Sequence, residues 1–244
     1  MLNYKRGIMV FLTMGLASVA ANAEFKIHEK TYGYEVGVEQ QKEVVDDKTF
    51  VTRTYGRYLS TMSADVYRND RGDNLNLELK AGAALVRYKG SILGSGDEYG
   101  SLTETRGGVI SEMIGLYHFG DNKLRPFVGL DAKVEAISGP RIDIQADGLM
   151  GANYKISDTK TLGVEYHTYL ARNVNYTKRD HTYTQDDGFG LAVFGKHTRP
   201  NGGTDTIRLE WEKLEESDMH TFSDGFVGYE PDADHILLSY KRTY

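Results

Sequence analysis

The densest group of side chains able to do chemistry is acidic and lies between residues 215 and 234. It consists of Glu215, Glu216, Asp218, Asp224, Glu230, Asp232 and Asp234. Carboxylate oxygens are preferred ligands of hard divalent cations, so this stretch could bind such an ion. The spacing of a calcium-binding loop is absent, however. We therefore interpret the stretch as a solvated acidic loop.

The histidines offer a second kind of chemistry, metal binding or proton transfer. His118 and His167 lie in regular, alternating stretches, and neither has a second His or Cys at zinc-ligand spacing; the chain contains no Cys. We interpret both as interior polar residues and predict no metal and no cofactor. Gly-x-Ser-x-Gly, His-Glu-x-x-His and phosphate-binding glycine loops are also absent, so the sequence predicts no enzyme.

A third set of charged residues recurs at every second position of regular stretches. Glu78 and Lys80 alternate with leucines, and Lys133 alternates with Ala and Val. If these positions share one face of each strand, they line an interior, either as a pore lining or as a salt-bridge lattice. The candidate lining residues are Glu35, Arg53, Arg57, Glu78, Lys80, Glu112, Asp131, Lys133, Glu135, Asp143, Asp147, Glu165, His167, Arg208, Glu210 and Glu212.

The elements that must position these residues are strands of period two. Clear alternation covers 75–85, 128–136, 142–154, 162–170, 207–212 and 235–244, and weaker alternation covers 31–40, 50–60, 108–119 and 187–198. About ten strands result, several of about 10 residues, the length that crosses a bilayer at a tilt, whereas strands of soluble proteins usually have about 5–6. The strands therefore favour a membrane-spanning sheet.

The N-terminal segment 1–23 has the features of a secretory signal peptide. Two cations precede an apolar run over 7–20, and Ala-Asn-Ala follows at 21–23. The run is too short for a spanning helix, which needs roughly 20 residues, and no later apolar run is long enough. Residues 24–244 are predicted to form one domain. Its net charge falls from −6 to −8 once the two cations are removed, and no basic nucleic-acid-binding surface is present.

Short and long connections alternate between the predicted strands. The short ones are 119–126, 156–161 and 199–205, and the long ones are 89–108, 172–188 and 214–234. If the N-terminus is periplasmic, ten strands place every short turn on the periplasmic side of the membrane and every long loop on the extracellular side, as in transmembrane barrels. The sequence thus predicts an all-β, transmembrane, antiparallel up-and-down barrel of about 10 strands, with 8 or 12 as alternatives. Closure satisfies every backbone group in lipid.

The last strand carries a resemblance to a known family. Ile236, Leu238, Tyr240 and Tyr244 fall on one face, although Arg242 departs from the apolar pattern, and "KLRPFVGLDAKVEA" contains an Arg-Pro-aromatic-x-Gly strand opening. In both respects the chain resembles small porin-like bacterial outer-membrane β-barrel proteins. The resemblance implies a location in the bacterial cell outer membrane and contact with its lipid and lipopolysaccharide. It also implies that periplasmic chaperones and the barrel-assembly machinery insert the chain, and that this machinery recognises the terminal aromatic residue.

Aromatic placement agrees with this orientation. The predicted aromatic girdle at the periplasmic interface comprises Tyr32, Tyr58, Tyr117, Phe119, Tyr154 and Tyr244.

Three functions follow from these expectations. The first is a porin-like barrel that gives a narrow path for small hydrophilic solutes or ions, although ten strands leave little interior space. The second is a non-conducting barrel whose long loops bind a host or envelope partner. The third resembles the omptin proteases, which use an Asp-x-Asp and an Asp-x-His pair; here Asp232–Asp234 and Asp218–His220 lie in one connection, whereas that family draws its pairs from separate loops.

Overall fold

The fold is known from a computed structural model of the chain. It describes residues 29–45, 48–93, 99–138, 141–176, 181–185, 187–223, 227–228 and 232–244. The signal peptide expected at 1–23 lies outside the described residues and stays a prediction, as do the positions of Asp224 and Glu230. The side chain of Arg53 is also outside the description.

The described residues are almost entirely β-strand. The strands are β1 (Glu29–Val45), β2 (Lys48–Arg68), β3 (Asn74–Leu93), β4 (Tyr99–His118), β5 (Leu124–Ile137), β6 (Arg141–Ser157), β7 (Lys160–Tyr176), β8 (His181–Gln185), β9 (Gly188–Thr198), β10 (Thr204–Leu214), β11 (His220–Thr221), β12 (Val227–Gly228) and β13 (Asp232–Thr243). Both β8 and β9 pair with β7, so they form one interrupted wall strand. A separate small ribbon consists of β11 and β12.

The wall strands close into an antiparallel barrel. Each pairs with its neighbours in chain order, and β1 pairs with β13 from Gly33↔Thr243 to Val44↔Asp232. Counting β8 and β9 together gives ten strands in up-and-down order. The predicted fold class and strand number are confirmed.

The two ends of the barrel differ. The connections 69–73, 119–123, 158–159 and 199–203 all lie at one end, here called the short-turn end, together with Tyr244. The opposite end, the long-hairpin end, carries the remaining connections. The three short turns expected from sequence do share one end.

The prediction of three long loops was partly wrong. The strands β3 and β4 stay paired as far as Leu93↔Tyr99, and β7 and β8 as far as Tyr176↔His181, so most of 89–108 and 172–188 is strand. Polar residues there suggested loops, but outside lipid a strand pair tolerates polar side chains on both faces. Among the described residues at the long-hairpin end, 215–219 form a stretch of five residues without strand pairing.

Side chains at the short-turn end tie neighbouring turns together. Asp73 accepts hydrogen bonds from the Asn69 side chain at 2.8 Å and from Gly120 N at 2.6 Å, which lower the pKa of Asp73. The Arg125 guanidinium donates to Gly72 O at 2.8 Å and to Gly120 O at 2.5 Å. The arginine of the Arg-Pro-aromatic-x-Gly motif therefore joins the turns 69–73 and 119–123.

The outward face of the barrel is apolar. A row across β1, β13 and β10 consists of Val38, Leu238 and Leu209, which are 59%, 54% and 48% exposed. Further exposed apolar side chains on the same face are Leu85, Val109, Met113, Val134, Ile144, Leu162, Val164, Leu191, Val193, Ile207 and Ile236. Of the aromatic residues expected on this face, Tyr117 is half-buried and Tyr32, Tyr58, Phe119, Tyr154 and Tyr244 are exposed.

Candidate functional site

The barrel lumen gathers the charged residues that sequence alternation placed on one face. All of the candidate lining residues with described side chains face it, from Glu35 on β1 to Glu212 on β10. The lumen also contains His235 and Arg172, which the sequence interpretation left out. His235 shares the parity of Lys241 on the last strand, which could have revealed it, whereas Arg172 lies beyond the end of the strand expected at 162–170.

In one half of the lumen, two buried cationic side chains from the adjacent strands β2 and β3 form the ion pairs. Arg57 Nη2 lies 2.8 Å from Glu35 Oε1, and Lys80 Nζ lies 3.1 Å from the other oxygen of the same carboxylate. Lys80 also contacts Glu112 at 3.2 Å and Glu78 at 3.6 Å. Each cation thus serves several carboxylates, which offsets the cost of burying them.

The opposite half is organised by Arg208. Its guanidinium contacts Glu165 at 2.6 Å and Glu210 at 2.6 Å. His167 Nε2 lies 2.6 Å from Glu165 Oε1 and 2.8 Å from Arg208 Nη2, so Glu165 sits between both basic groups. The arrangement fixes the orientation of the imidazole ring.

His235 connects the two halves. One ring nitrogen lies 2.9 Å from Glu39 on β1, and the other lies 3.1 Å from Glu212 on β10. Since Glu39 also contacts Arg57 at 3.6 Å, the ion pairs continue around the lumen. We call the residues joined by these ion pairs the salt-bridge lattice. They are Glu35, Glu39, Arg57, Glu78, Lys80, Glu112, Glu165, His167, Arg208, Glu210, Glu212 and His235.

A cavity of about 560 Å³ lies next to the lattice. Its wall includes the turn residues Asp121, Asn122 and Lys123, so the cavity opens at the short-turn end. Lattice carboxylates and cations form the deeper wall. A small polar molecule or ion can therefore reach the lattice from that end.

On the long-hairpin side of the lattice the lumen is closed by buried side chains. One wall carries the apolar cluster Tyr55, Leu59, Ala84, Val86, Ile110 and Ile137, and the facing wall carries Tyr169, Leu214 and Ala233. Buried Arg172 lies between the clusters, where it pairs with Asp143 and Gln185. We call these residues the closing layer.

Little open space remains within the closing layer. A void of about 10 Å³ is bordered by Tyr55 from one cluster, Leu214 from the other, and Arg172. That is about the space one water occupies. Where Tyr55, Leu214 and Arg172 approach one another, the described side chains thus leave about the space of one water.

The distribution of polarity is inverted relative to a soluble sandwich. The closed sheet presents apolar side chains outward and ion pairs inward, and every wall strand has a partner on both sides. A barrel in lipid requires that arrangement. The protein is a closed β-barrel with the polarity of a membrane-spanning barrel. No helix among the described residues is long and apolar enough to cross a bilayer.

Solved structures similar to this chain are outer-membrane barrels. A TodX deltaS2S3 mutant, a monoaromatic hydrocarbon channel, is 7% identical with a TM-score of 0.39, over 88% of this chain and 89% of that chain. The translocator domain of the autotransporter NalP from Neisseria meningitidis is 10% identical with a TM-score of 0.38, over 98% and 97%. The outer membrane protease OmpT from Escherichia coli is 9% identical with a TM-score of 0.31, over 90% and 97%.

These similarities are too weak to support a subfamily or an activity. No protein-family model matches the sequence, and no curated protein matches it.

The residues considered for a protease site lie at the long-hairpin end. The His220 ring stacks on His181 with centroids 3.6 Å apart, and Asp232 accepts a hydrogen bond from Glu216 N at 2.7 Å. Asp218 and Asp234 are exposed. Among the described residues no hydrogen bond joins the Asp218–His220 pair to the Asp232–Asp234 pair, so the geometry gives no support to a rim protease.

Proposed function

We propose that this outer-membrane barrel is non-conducting and that its long hairpins bind a host or envelope partner. The closing layer carries the proposal, because it leaves space for about one water where a porin-like path would need a continuous opening. The porin-like function is the alternative. The cavity supports it at the short-turn end, but the closing layer opposes it.

The unequal height of the wall supports a surface role. Strands β2, β3 and β4 have 21, 20 and 20 residues, whereas β9 and β10 have 11 each. A tilted strand needs roughly 9–11 residues to cross the bilayer. Because β3 and β4 remain paired to Leu93↔Tyr99, one side of the barrel extends as a sheet beyond the lipid. An extended, hydrogen-bonded sheet is a rigid surface for a partner.

Conductance in a planar bilayer tests the proposal. We expect repeated insertion of the wild-type barrel to give no steps above baseline. The double variant Tyr55→Ala/Tyr169→Ala removes one buried ring from each cluster of the closing layer, and we expect it to conduct. The matched control Tyr58→Ala/Tyr166→Ala removes two rings on the outward face and should give no conductance steps. A shift in mobility between unboiled and boiled samples in SDS verifies folding. Stable steps from the wild type would instead support the porin-like path.

We also propose that Tyr244 forms part of an insertion signal read by the barrel-assembly machinery. The ring is 61% exposed and lies 5.2 Å from the Arg199 guanidinium, while the backbone of Tyr244 exchanges hydrogen bonds with Tyr32. Because Tyr244→Ala keeps the backbone pairing, we expect it to lower the unfolding midpoint little but to reduce the amount in the outer membrane several-fold. Quantitative blotting of membrane fractions measures this.

Tyr32→Ala is the matched control for Tyr244→Ala. The Tyr32 ring is 56% exposed and belongs to the same backbone pair, but it is not part of the last strand. We expect the control to reach the outer membrane at nearly wild-type levels. Equal losses for the two variants would show that Tyr244 acts only as an interfacial ring.

A further inference from the structure

Three buried side chains in the lattice have the chemistry of a metal site. His167 on β7 and Glu210 and Glu212 on β10 offer one nitrogen and two carboxylate groups whose ligand atoms lie within 4.8 Å of one another. The sequence predicted no metal because His167 lacks a partner at short spacing. The partners come instead from another strand of the closed sheet.

A glycine on the intervening strand brings these residues together. The strand β9 lies between β7 and β10, and Gly190 pairs with His167 on one side and with Glu212 on the other. A Cβ at Gly190 would lie 3.0 Å from Glu212 Cγ and 3.4 Å from His167 Cβ. Because that Cβ is absent, the imidazole and the carboxylate can approach each other across β9.

The free ring nitrogen of His167 is aimed at this cluster. Its Nε2 is held 2.6 Å from Glu165, whereas its Nδ1 is buried without a hydrogen-bond partner and lies 3.8 Å from Glu212 Oε1. Metal-bound histidines commonly donate their other N–H to a carboxylate, which leaves the ligating nitrogen free. The ring is only 4% exposed, so an unsatisfied nitrogen there is costly unless it meets a ligand.

Glu210 and Glu212 have basic partners, Arg208 at 2.6 Å and His235 at 3.1 Å, whose contacts a bound ion would replace. Asp147 lines the same cavity and has a buried oxygen without a hydrogen-bond partner. Asp147 therefore offers a further oxygen on the wall of the cavity. The cavity opens at the short-turn end, so an ion can enter from there.

We propose that the lumen binds one divalent transition-metal ion of the zinc class through His167 Nδ1, Glu210 and Glu212. An imidazole with two carboxylates suits Zn²⁺ better than Ca²⁺ or Mg²⁺, which prefer oxygen ligands alone. Tetrahedral zinc at about 2.0–2.2 Å from each ligand requires ligand atoms about 3.4 Å apart, so the side chains must close slightly on binding.

Calorimetric titration of the chelator-stripped, detergent-folded barrel with ZnCl₂ tests this proposal. We expect one ion per chain, and at least tenfold weaker binding for His167→Gln and for Glu212→Gln. The matched controls are His118→Gln and Glu112→Gln, which change buried lumen residues of the same types outside the cluster and should leave the affinity unchanged. Gel mobility in unboiled SDS samples confirms that each variant is folded.

The half-buried His181–His220 pair is the competing site, and His181→Gln/His220→Gln should leave zinc binding intact. X-ray absorption of the wild-type complex is independent of variant folding, and it should show one imidazole with oxygen ligands. The proposal is overturned if the wild type binds no zinc, if binding survives the lumen variants but not the His181/His220 variant, or if the spectrum shows two imidazoles.

Discussion

Replacement of Arg57 by methionine is expected to destabilise the folded barrel by about 3–5 kcal/mol. The change keeps most of the side-chain volume but removes the cation that lies 2.8 Å from Glu35 and 3.6 Å from Glu39. All three side chains are almost completely buried, so water cannot replace the lost partner. Reversible urea unfolding in detergent micelles, followed by tryptophan fluorescence, measures the difference.

Arg68→Met is the matched control for Arg57→Met. Arg68 also pairs with an acid, Asp65, at 2.5 Å, but its side chain is 51% exposed, so we expect a cost of at most about 1 kcal/mol. The double variant Arg57→Met/Glu35→Gln also removes the carboxylate charge that Arg57→Met leaves without its partner, and it should recover part of the lost stability. If Arg57→Met and Arg68→Met have equal effects, the lattice contributes no more than surface ion pairs do.

Replacement of Leu238 by arginine is the second change expected to have a large effect, about 2–4 kcal/mol of unfolding free energy in a lipid bilayer. Leu238 lies midway along β13, between Val38 and Leu209 on the outward face. A guanidinium at this position must either leave water or distort the lipid around it. Urea unfolding in vesicles of matched lipid composition measures the cost.

Two controls separate charge in lipid from other effects. Leu238→Ala removes apolar area without adding charge and should cost less than Leu238→Arg. Met219→Arg places the same side chain at the long-hairpin end, where residue 219 is 68% exposed, and should be nearly neutral. Equal destabilisation by Leu238→Arg and Met219→Arg would mean that Leu238 does not contact lipid.

The sequence predicted the wall of the barrel well because alternation is a local property. Glu78 and Lys80 were assigned to the inner face from their neighbours on β3 alone, and the structure places both in the lattice. The contact between His235 and Glu39 was not predictable in this way. It depends on the pairing of β13 with β1, which joins residues almost 200 positions apart.

The closing layer was missed for a different physical reason. On β3, Ala84 and Val86 share the inner face with Lys80, but Leu85 on the outer face is apolar too. With both faces apolar, alternation no longer tells the inside from the outside. The metal-ligand cluster was missed because its geometry depends on Gly190, whose effect is visible only when β7, β9 and β10 are side by side.

The pairing of β1 with β13 determines when the barrel can fold. Before these strands meet, the chain can at most form an open sheet with two unpaired edges, which invites pairing with other chains. Closure joins contacts of very large sequence separation, and such contacts form slowly because the loop-closure entropy must be overcome first. Closure is therefore expected late, so the unclosed chain must be kept from aggregating until β13 is in place.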